Sequence, residues 1–376
     1  MNIIGIAIGI TGLLLLAMFM WMFVLSVRKK RLEHERRERE IAYRKAMEKN
    51  RKQERQERLL KAENGDVPSI LFLAKEVERK KPKEALYWYT KAAKLDNVTG
   101  MYGVVRISNT MTTDLVLQEQ SKFWQTCIAA QDGNLDSKFE MGVALFYGRG
   151  IDADQHKAIE VIESAANYNH VGALLFLGDW WISDNNPKPD PAFSFECFRK
   201  AAYLKSNEGR MKLGLSYLNG LGVKPNHEKG CYWIERAAEK GDVKAMYSAG
   251  EAWIDQRPSG NAIAYIWLFL ACQLGYAPAR LLRDKVAMNI GVDTVVGLQG
   301  LSKPMLRKIN ENRVGKHSII KALNKLYKRN IPLEESEQPM EGDVDQVVAP
   351  EQVLENSNNL PDLEDKPDKL DFRQVY

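Results

Sequence analysis

"WYTKAAKLDN" at residues 88–97 returns as "WIERAAEKGD" at 233–242, and "WLFLACQLGY" at 267–276 keeps part of the pattern. A stretch that returns is either a recurring ligand site or a unit of construction, and its period separates the two. The small pairs begin at Ala92, Ala129, Ala165, Ala201, Ala237 and Ala271, 34 to 37 residues apart. An independent column, Gly142, Gly178, Gly214 and Gly250, recurs every 36 residues. At the usual glycine frequency of about 7%, one fixed offset held over three further copies arises by chance roughly 3 times in 10,000. The columns mark a structural repeat.

Two more columns hold small residues. Ser137, Ala173, Gly209 and Ala245 stand five before the glycines, and Ala85, Ala158, Ser194, Gly230 and Ala264 stand seven before the pairs. A glycine inside a helix costs about 1 kcal/mol relative to alanine, so its recurrence demands close approach of a second helix. Each unit therefore reads as two crossed helices joined by a glycine turn. In the third unit the helices are expected at about 137–147 and 155–168 around "GRGI" at 148–151, and the fifth repeats the scheme around "NGLGV". The first unit, about 63–97, places Ala74 in the glycine slot; the second, about 98–133, is the least regular; the fourth turn is proline-rich, "SDNNPKPDP".

Trp88, Trp233 and Trp267 fill one slot, four before the small pair, where other units put Val161 and Cys197. A slot that accepts an aliphatic side chain or a thiol is a core position, not a ligand cage. Trp181, Tyr217 and Trp253 read likewise. Three aromatics break their columns: Trp180 stands where other units have Ala144, Ser216 and Ala252, and Tyr87 and Tyr232 stand where others have Glu160 and Glu196. These are candidate exposed anchors for a protein partner.

The ends differ from the middle. Residues 3–27, "IIGIAIGITGLLLLAMFMWMFVLSV", carry no charge, and as a helix would reach about 37 Å, enough to cross a bilayer. The segment lacks the basic leader and small-residue cleavage site of a signal peptide, so a retained anchor spanning 1–27 is expected. Gly5 and Gly9 form a GxxxG within it, a candidate homodimer contact. Residues 28–61 carry 15 Lys/Arg against 7 Glu, which orients the anchor with the N-terminus outside and the bulk of the chain in the cytoplasm, a bacterial inner membrane being the first expectation. Their interleaved charges at helical spacing predict a helical stalk over 28–62 beside anionic headgroups, without the heptads of a coiled coil. Helical segments are expected near 303–312 and 315–329; Ile319, Ile320, Leu323, Leu326 and Tyr327 give the second an apolar stripe for capping the repeats. Residues 332–376, with 13 Asp/Glu against 3 Lys/Arg, read as an acidic disordered tail.

The chemistry that the sequence lacks narrows the function. There is no HExxH, no phosphate loop and no G-x-S-x-G elbow; "GRGIDA" at 148–153 joins two helices, whereas a dinucleotide fingerprint comes after a strand. His156 and His227 stand at starts of helices as surface or capping residues, and Cys127, Cys197, Cys231 and Cys272 lie in separate units as buried thiols. No enzyme activity, cofactor or metal site is expected, and the stalk's charge reads as lipid-facing with no nucleic-acid partner.

"RMKLGLSYLNGLGV" with "KGCYWIERAAEKGD", and "FEMGVALFYGRGI" with "KAIEVIESAA", resemble the Sel-1-like repeat, a 36-residue relative of the tetratricopeptide repeat. The resemblance covers about 63–290 and implies an all-α solenoid of about six helix-turn-helix repeats, closed by capping helices over 291–331. It also implies a scaffold or adaptor, since such repeats serve membrane-associated assemblies. Two other readings stay open: a ligand-binding or hydrolytic repeat protein of the cell envelope, and a lipid or nucleic-acid tether working through the stalk.

Overall fold

The computed structural model describes residues 3–111 and 113–333, with side chains from residue 12 onward except 13 and 14. Among the described residues it holds sixteen α-helices and no strand. The chain divides into two compact units, Met1–Ile128 and Ala129–Tyr376.

The first unit opens with α1 (Ile3–Glu63), one helix of 61 residues through the apolar run and the basic run alike. Its basic part is laced by i,i+4 ion pairs such as Arg31–Glu35, Lys52–Glu48 and Lys61–Glu57. Every residue from 15 to 27 is exposed, Phe19 and Trp21 at 71% and 70%. Among the described residues no helix is long and apolar enough to cross a membrane. The expected anchor falls only partly on them, and Gly5 and Gly9 lie outside the described side chains. Next come α2 (Val67–Val77), α3 (Pro82–Lys94), α4 (Val98–Thr110) and α5 (Leu115–Gln131), which runs across the division between the units. Trp88, Ala92 and Ala93 of α3 are buried, and an added Cβ at Gly100 would meet Ala92 and the Ala93 amide at 2.7 Å.

In the second unit three helix pairs occur at the expected period: α6 (Leu135–Tyr147) with α7 (Gln155–Asn167), α8 (Val171–Trp181) with α9 (Pro191–Tyr203), and α10 (Asn207–Asn219) with α11 (His227–Ala238). The fourth is α12 (Val243–Trp253) with α13 (Gly260–Gln273). The glycine column is where each pair crosses. An added Cβ would run into Ile162 at Gly142, Phe198 at Gly178, Ile234 at Gly214 and Leu268 at Gly250. At Gly214 the Gly230 carbonyl also lies 2.7 Å away, so backbone meets backbone. The small pairs Ala165, Ala201 and Ala237 are fully buried, as are Trp233 and Trp267. Gly148 and Gly220 end α6 and α10 in the left-handed region, at φ 71° and 70°.

Helix starts depend on a short polar residue just before the helix, whose side chain accepts from the third amide. Asn134, Asp154, Asp190, Ser206, Asn226 and Asp242 all do so. Of the surface or capping roles expected for His156 and His227, neither residue is a cap, since Asp154 and Asn226 take that place, and His156 is at the surface. His156 is exposed beside Glu160, and His227 turns its Nε2 to the Ala252 carbonyl at 2.9 Å. His170, which drew no attention in the sequence, caps α8 through Nδ1, 3.0 Å from the Ala173 amide.

The chain closes with α14 (Ala279–Ile290), α15 (Val292–Asn310) and α16 (Ser318–Tyr327). α15 begins eleven residues before the expected segment near 303, because Pro304 sits inside the helix and not at its start. The carbonyl that Pro304 leaves without a donor belongs to Gly300, on an exposed face where water can replace the bond. α16 lays Ile319, Ile320 and Leu323 into the core shared with α11 and α13, leaving Leu326 half exposed. Tyr232 lies beneath it. The expectation of an exposed anchor there is corrected: Tyr232 is 0% exposed, and its hydroxyl is 3.1 Å from Nε2 of His317.

Candidate functional site

Two places in the second unit gather polar and aromatic side chains, one sealed and one open. In the sealed place, Glu235 of α11 receives both guanidinium arms of Arg329, at 2.5 and 2.6 Å, and the indole N–H of Trp253 at 2.7 Å. The Arg329 guanidinium also lies 5.0 Å over the Trp253 ring. One turn along α11, Glu239 accepts from Arg236 at 2.7 Å and from the His317 amide at 2.9 Å. Burial raises the Glu239 carboxyl above the usual carboxylate range, opposed by the His317 amide and Arg236. These bonds fasten α16 and the residues flanking it to α11 and α12, a structural assignment.

Burial pushes Cys197 up to about 12 and Cys231 well above its ordinary value, so both stay protonated. None of the four cysteines is in a disulfide. Among the described residues no group of three or more His, Cys, Asp or Glu is placed to hold a metal ion.

The open place lies between the first helices of two successive repeats. α6 carries Phe139 and Phe146 seven residues apart, and α8 carries Phe176 and Trp180 four apart, so each pair shares a helix face. The Phe146 ring stands edge-on to Trp180 (5.0 Å, 83°), to Phe176 (5.2 Å, 84°) and to Tyr147 (5.1 Å, 73°). Phe146, Tyr147, Phe176 and Trp180 form the apolar wall of a cavity of about 280 Å³, and Gln155, Ser183 and Asn185 form its polar rim. No lining side chain is charged. Such a cavity, flat rings on one side and neutral hydrogen-bonding groups on the other, suits an uncharged side chain whose own backbone meets the amides.

Trp180, singled out by its broken column, lines this cavity. Tyr87 belongs to the first unit, 58% exposed and edge-on to Trp88 at 5.0 Å. Tyr232 is at neither surface. The sequence reading missed Phe176 and Phe146. Phe176 had a signal of its own, since its column otherwise reads Glu140, Lys212 and Ser248; Phe146 had none, since Ile182, Leu218 and Ile254 make it ordinary.

The Sel1 repeat model matches residues 75–97, 135–167, 171–206 and 208–242, so Sel1 repeats are found over α3 and over the pairs α6–α7, α8–α9 and α10–α11. The chain is similar to chitin synthase regulatory factor 3 of Schizosaccharomyces pombe, 32% identical over 108 residues. That stretch is 28% of this chain and 12% of the yeast protein, so the chain matches about an eighth of that relative's length. Two solved structures are also similar. One is a protective antigen of uropathogenic Escherichia coli with an SLR fold (18% identity, 76% of this chain and 68% of that one, TM-score 0.34). The other is a Sel1 repeat protein of Oxalobacter formigenes (23% identity, 59% and 85%, TM-score 0.35).

Proposed function

We propose that this chain is a membrane-anchored adaptor whose repeats hold a protein partner at the cavity formed by Phe146, Tyr147, Phe176 and Trp180. The observation that carries the reading is that cavity: four partly exposed aromatic rings on two successive repeats, where the equivalent positions of Trp180 and Phe176 in other repeats are small or polar. Exposed aromatics in a recess are the residues that most often dominate a protein interface. A non-catalytic role agrees with the raised thiols and with the relative named a regulatory factor.

Anchoring rests on α1. Its exposed apolar residues from 15 to 27 gain about 2 kcal/mol each on leaving water, far more than an exposed helix can forgo without a cover. The basic run at 28–61 supports repeats on the cytoplasmic side by the positive-inside rule, and a bacterial inner membrane is the compartment we propose. Co-purification from gently solubilised native membranes tests the adaptor, comparing the full chain with Trp180→Ala. A stoichiometric partner lost from the variant supports it; a chain recovered alone at matched yield and helicity refutes it. Protease added to sealed vesicles tests the orientation, which fails if the repeats are cut from the periplasmic side.

A further inference from the structure

The first helices of successive repeats begin in one column, whose occupants are Asn97, Asn134, His170, Ser206 and Asp242. Each accepts with its side chain from the amide three residues on. Of these residue types histidine alone changes charge between about pH 5 and 8. Both nitrogens of the His170 ring are engaged, and that fixes its tautomer. The Ala173 N–H can only donate, so Nδ1, 3.0 Å away, is the bare acceptor. Nε2 therefore carries the proton and donates it to Oδ1 of Asp136 at 2.9 Å, a bond that crosses from α8 to α6.

A second proton has one place to go, Nδ1, where it sets N–H against N–H. The imidazolium keeps its bond to Asp136, while α8 loses its cap and gains a cation at the positive end of its dipole. Asp136 is the charge the ring touches. Elsewhere on α6, Lys138 lies over the Tyr168 ring at 5.8 Å, and Glu140 is exposed one turn beyond Asp136. On α7 and α9, which pack on α8, Glu163 and Lys200 both act on the Cys197 thiol, and Arg199 pairs with Glu196.

The capped end and the open cavity belong to one pair of helices. Asp136 and His170 join α6 to α8 where they begin; Phe146 and Trp180, each ten residues further on, meet about 15 Å away. Between the two places the rings follow in series: His170 to Phe139 at 4.9 Å, Phe139 to Phe176 at 6.3 Å, Phe176 to Phe146 at 5.2 Å. Two of the four rings of the cavity ride on the helix that His170 caps. We propose that His170 is a proton-sensitive joint of this cavity: protonation at Nδ1 uncaps α8 and loosens the wall formed by Phe176 and Trp180, so that the protein partner is held at neutral pH and released in mild acid. The release rests on the adaptor reading; the uncapping does not.

The test is amide hydrogen exchange on the full chain at pH 7.5 and pH 5.0, corrected for the intrinsic rate, in the native protein and in His170→Asn. Asparagine caps without titrating, as Asn97 and Asn134 do in the same column. Protection over the first turn of α8 is expected to fall about fivefold in acid in the native chain, the usual worth of a cap, and to stay within about twofold in the variant. The start of α10, capped by Ser206, should respond in neither. Burial raises the carboxyls of Glu163, Glu239 and Glu251, but these titrate in both chains, so the difference between the chains reports His170. Equal protection at the two pH values, or a fall shared by His170→Asn or by α10, overturns the proposal. The co-purifying partner, recovered at the same two pH values, should drop roughly two- to fivefold in acid from the native chain and not from His170→Asn. Uncapping with no partner under any condition refutes the adaptor and leaves the uncapping standing; a Trp180-dependent partner whose recovery ignores pH keeps the adaptor and overturns the release.

Discussion

The Trp253 edge and the Trp181 edge of the second unit are built from the same repeat slot, yet one is closed and the other is not. At Trp253 the indole N–H, the ring face and the neighbouring helix are all satisfied by a carboxylate, a guanidinium and α16. At Trp181 the ring packs edge-on to Phe193 at 5.4 Å, its N–H is unpartnered among the described residues, and a cavity lies alongside. The repeat therefore does not decide what is surface. A later segment of the chain does, by covering the Trp253 copy of a shared feature, while beside the Trp181 copy a cavity lined by Trp180 remains.

Glu235→Ala is the hardest blow to that contrast. It strands the buried Arg329 charge and the Trp253 N–H together, and removing one partner of a buried pair costs about 3–5 kcal/mol. A urea or thermal melt should show the loss, and a change below about 1 kcal/mol would mean that α16 is not held by this pair. Next in size is the glycine column. Gly214→Ala pushes a Cβ onto Ile234 and the Gly230 carbonyl, and should cost about 1–3 kcal/mol. Gly297→Ala, on an open face of α15 with nothing within 4 Å, should stabilise by about 0.5–1 kcal/mol. Equal effects at the two sites would break the assignment of the column to helix crossing.

A third test reads the sealed place through pH. Burial raises the Glu239 carboxyl in the folded chain, so the native state holds its proton more tightly than the unfolded one. Stability from this group is complete below about pH 4.5, the unfolded value, and is lost as pH rises through the folded value. Stability relative to Glu239→Gln should therefore decline with rising pH above that point. A difference that grows with pH would mean that Arg236 and the His317 amide outweigh the burial.

The repeat was legible because helix crossings at a fixed offset force small residues into fixed columns, whatever lies around them. The tryptophan slot was legible for the same reason, since a core position tolerates Val161 or Cys197 in its place. Tyr232 was misread because its cover arrives 85 residues later in His317, and no column within the repeats records a helix outside them. Trp180 announced itself by breaking a column, while Phe146, the ring it meets, hid among large apolar equivalents. A cavity is a relation between helices, and only those of its walls that violate the repeat can be seen from the sequence.

A small expected effect on stability belongs to the residue with the largest expected effect on binding. Trp180 is partly exposed and its contact with Phe146 is one edge-to-face pair, a geometry worth about 0.5–1.5 kcal/mol. Trp180→Ala should therefore lower stability by about 1 kcal/mol, whereas Trp253→Ala, which empties a buried slot and removes the indole bond to Glu235, should cost about 3–5 kcal/mol. Melting both variants beside the native chain separates a wall of a binding cavity from a member of the core. If Trp180→Ala proved as costly as Trp253→Ala, the ring would be holding α6 to α8, and loss of the partner in that variant would no longer locate the interface. If it proved nearly silent in stability and the partner were lost, the open edge would be the surface by which this chain meets another protein.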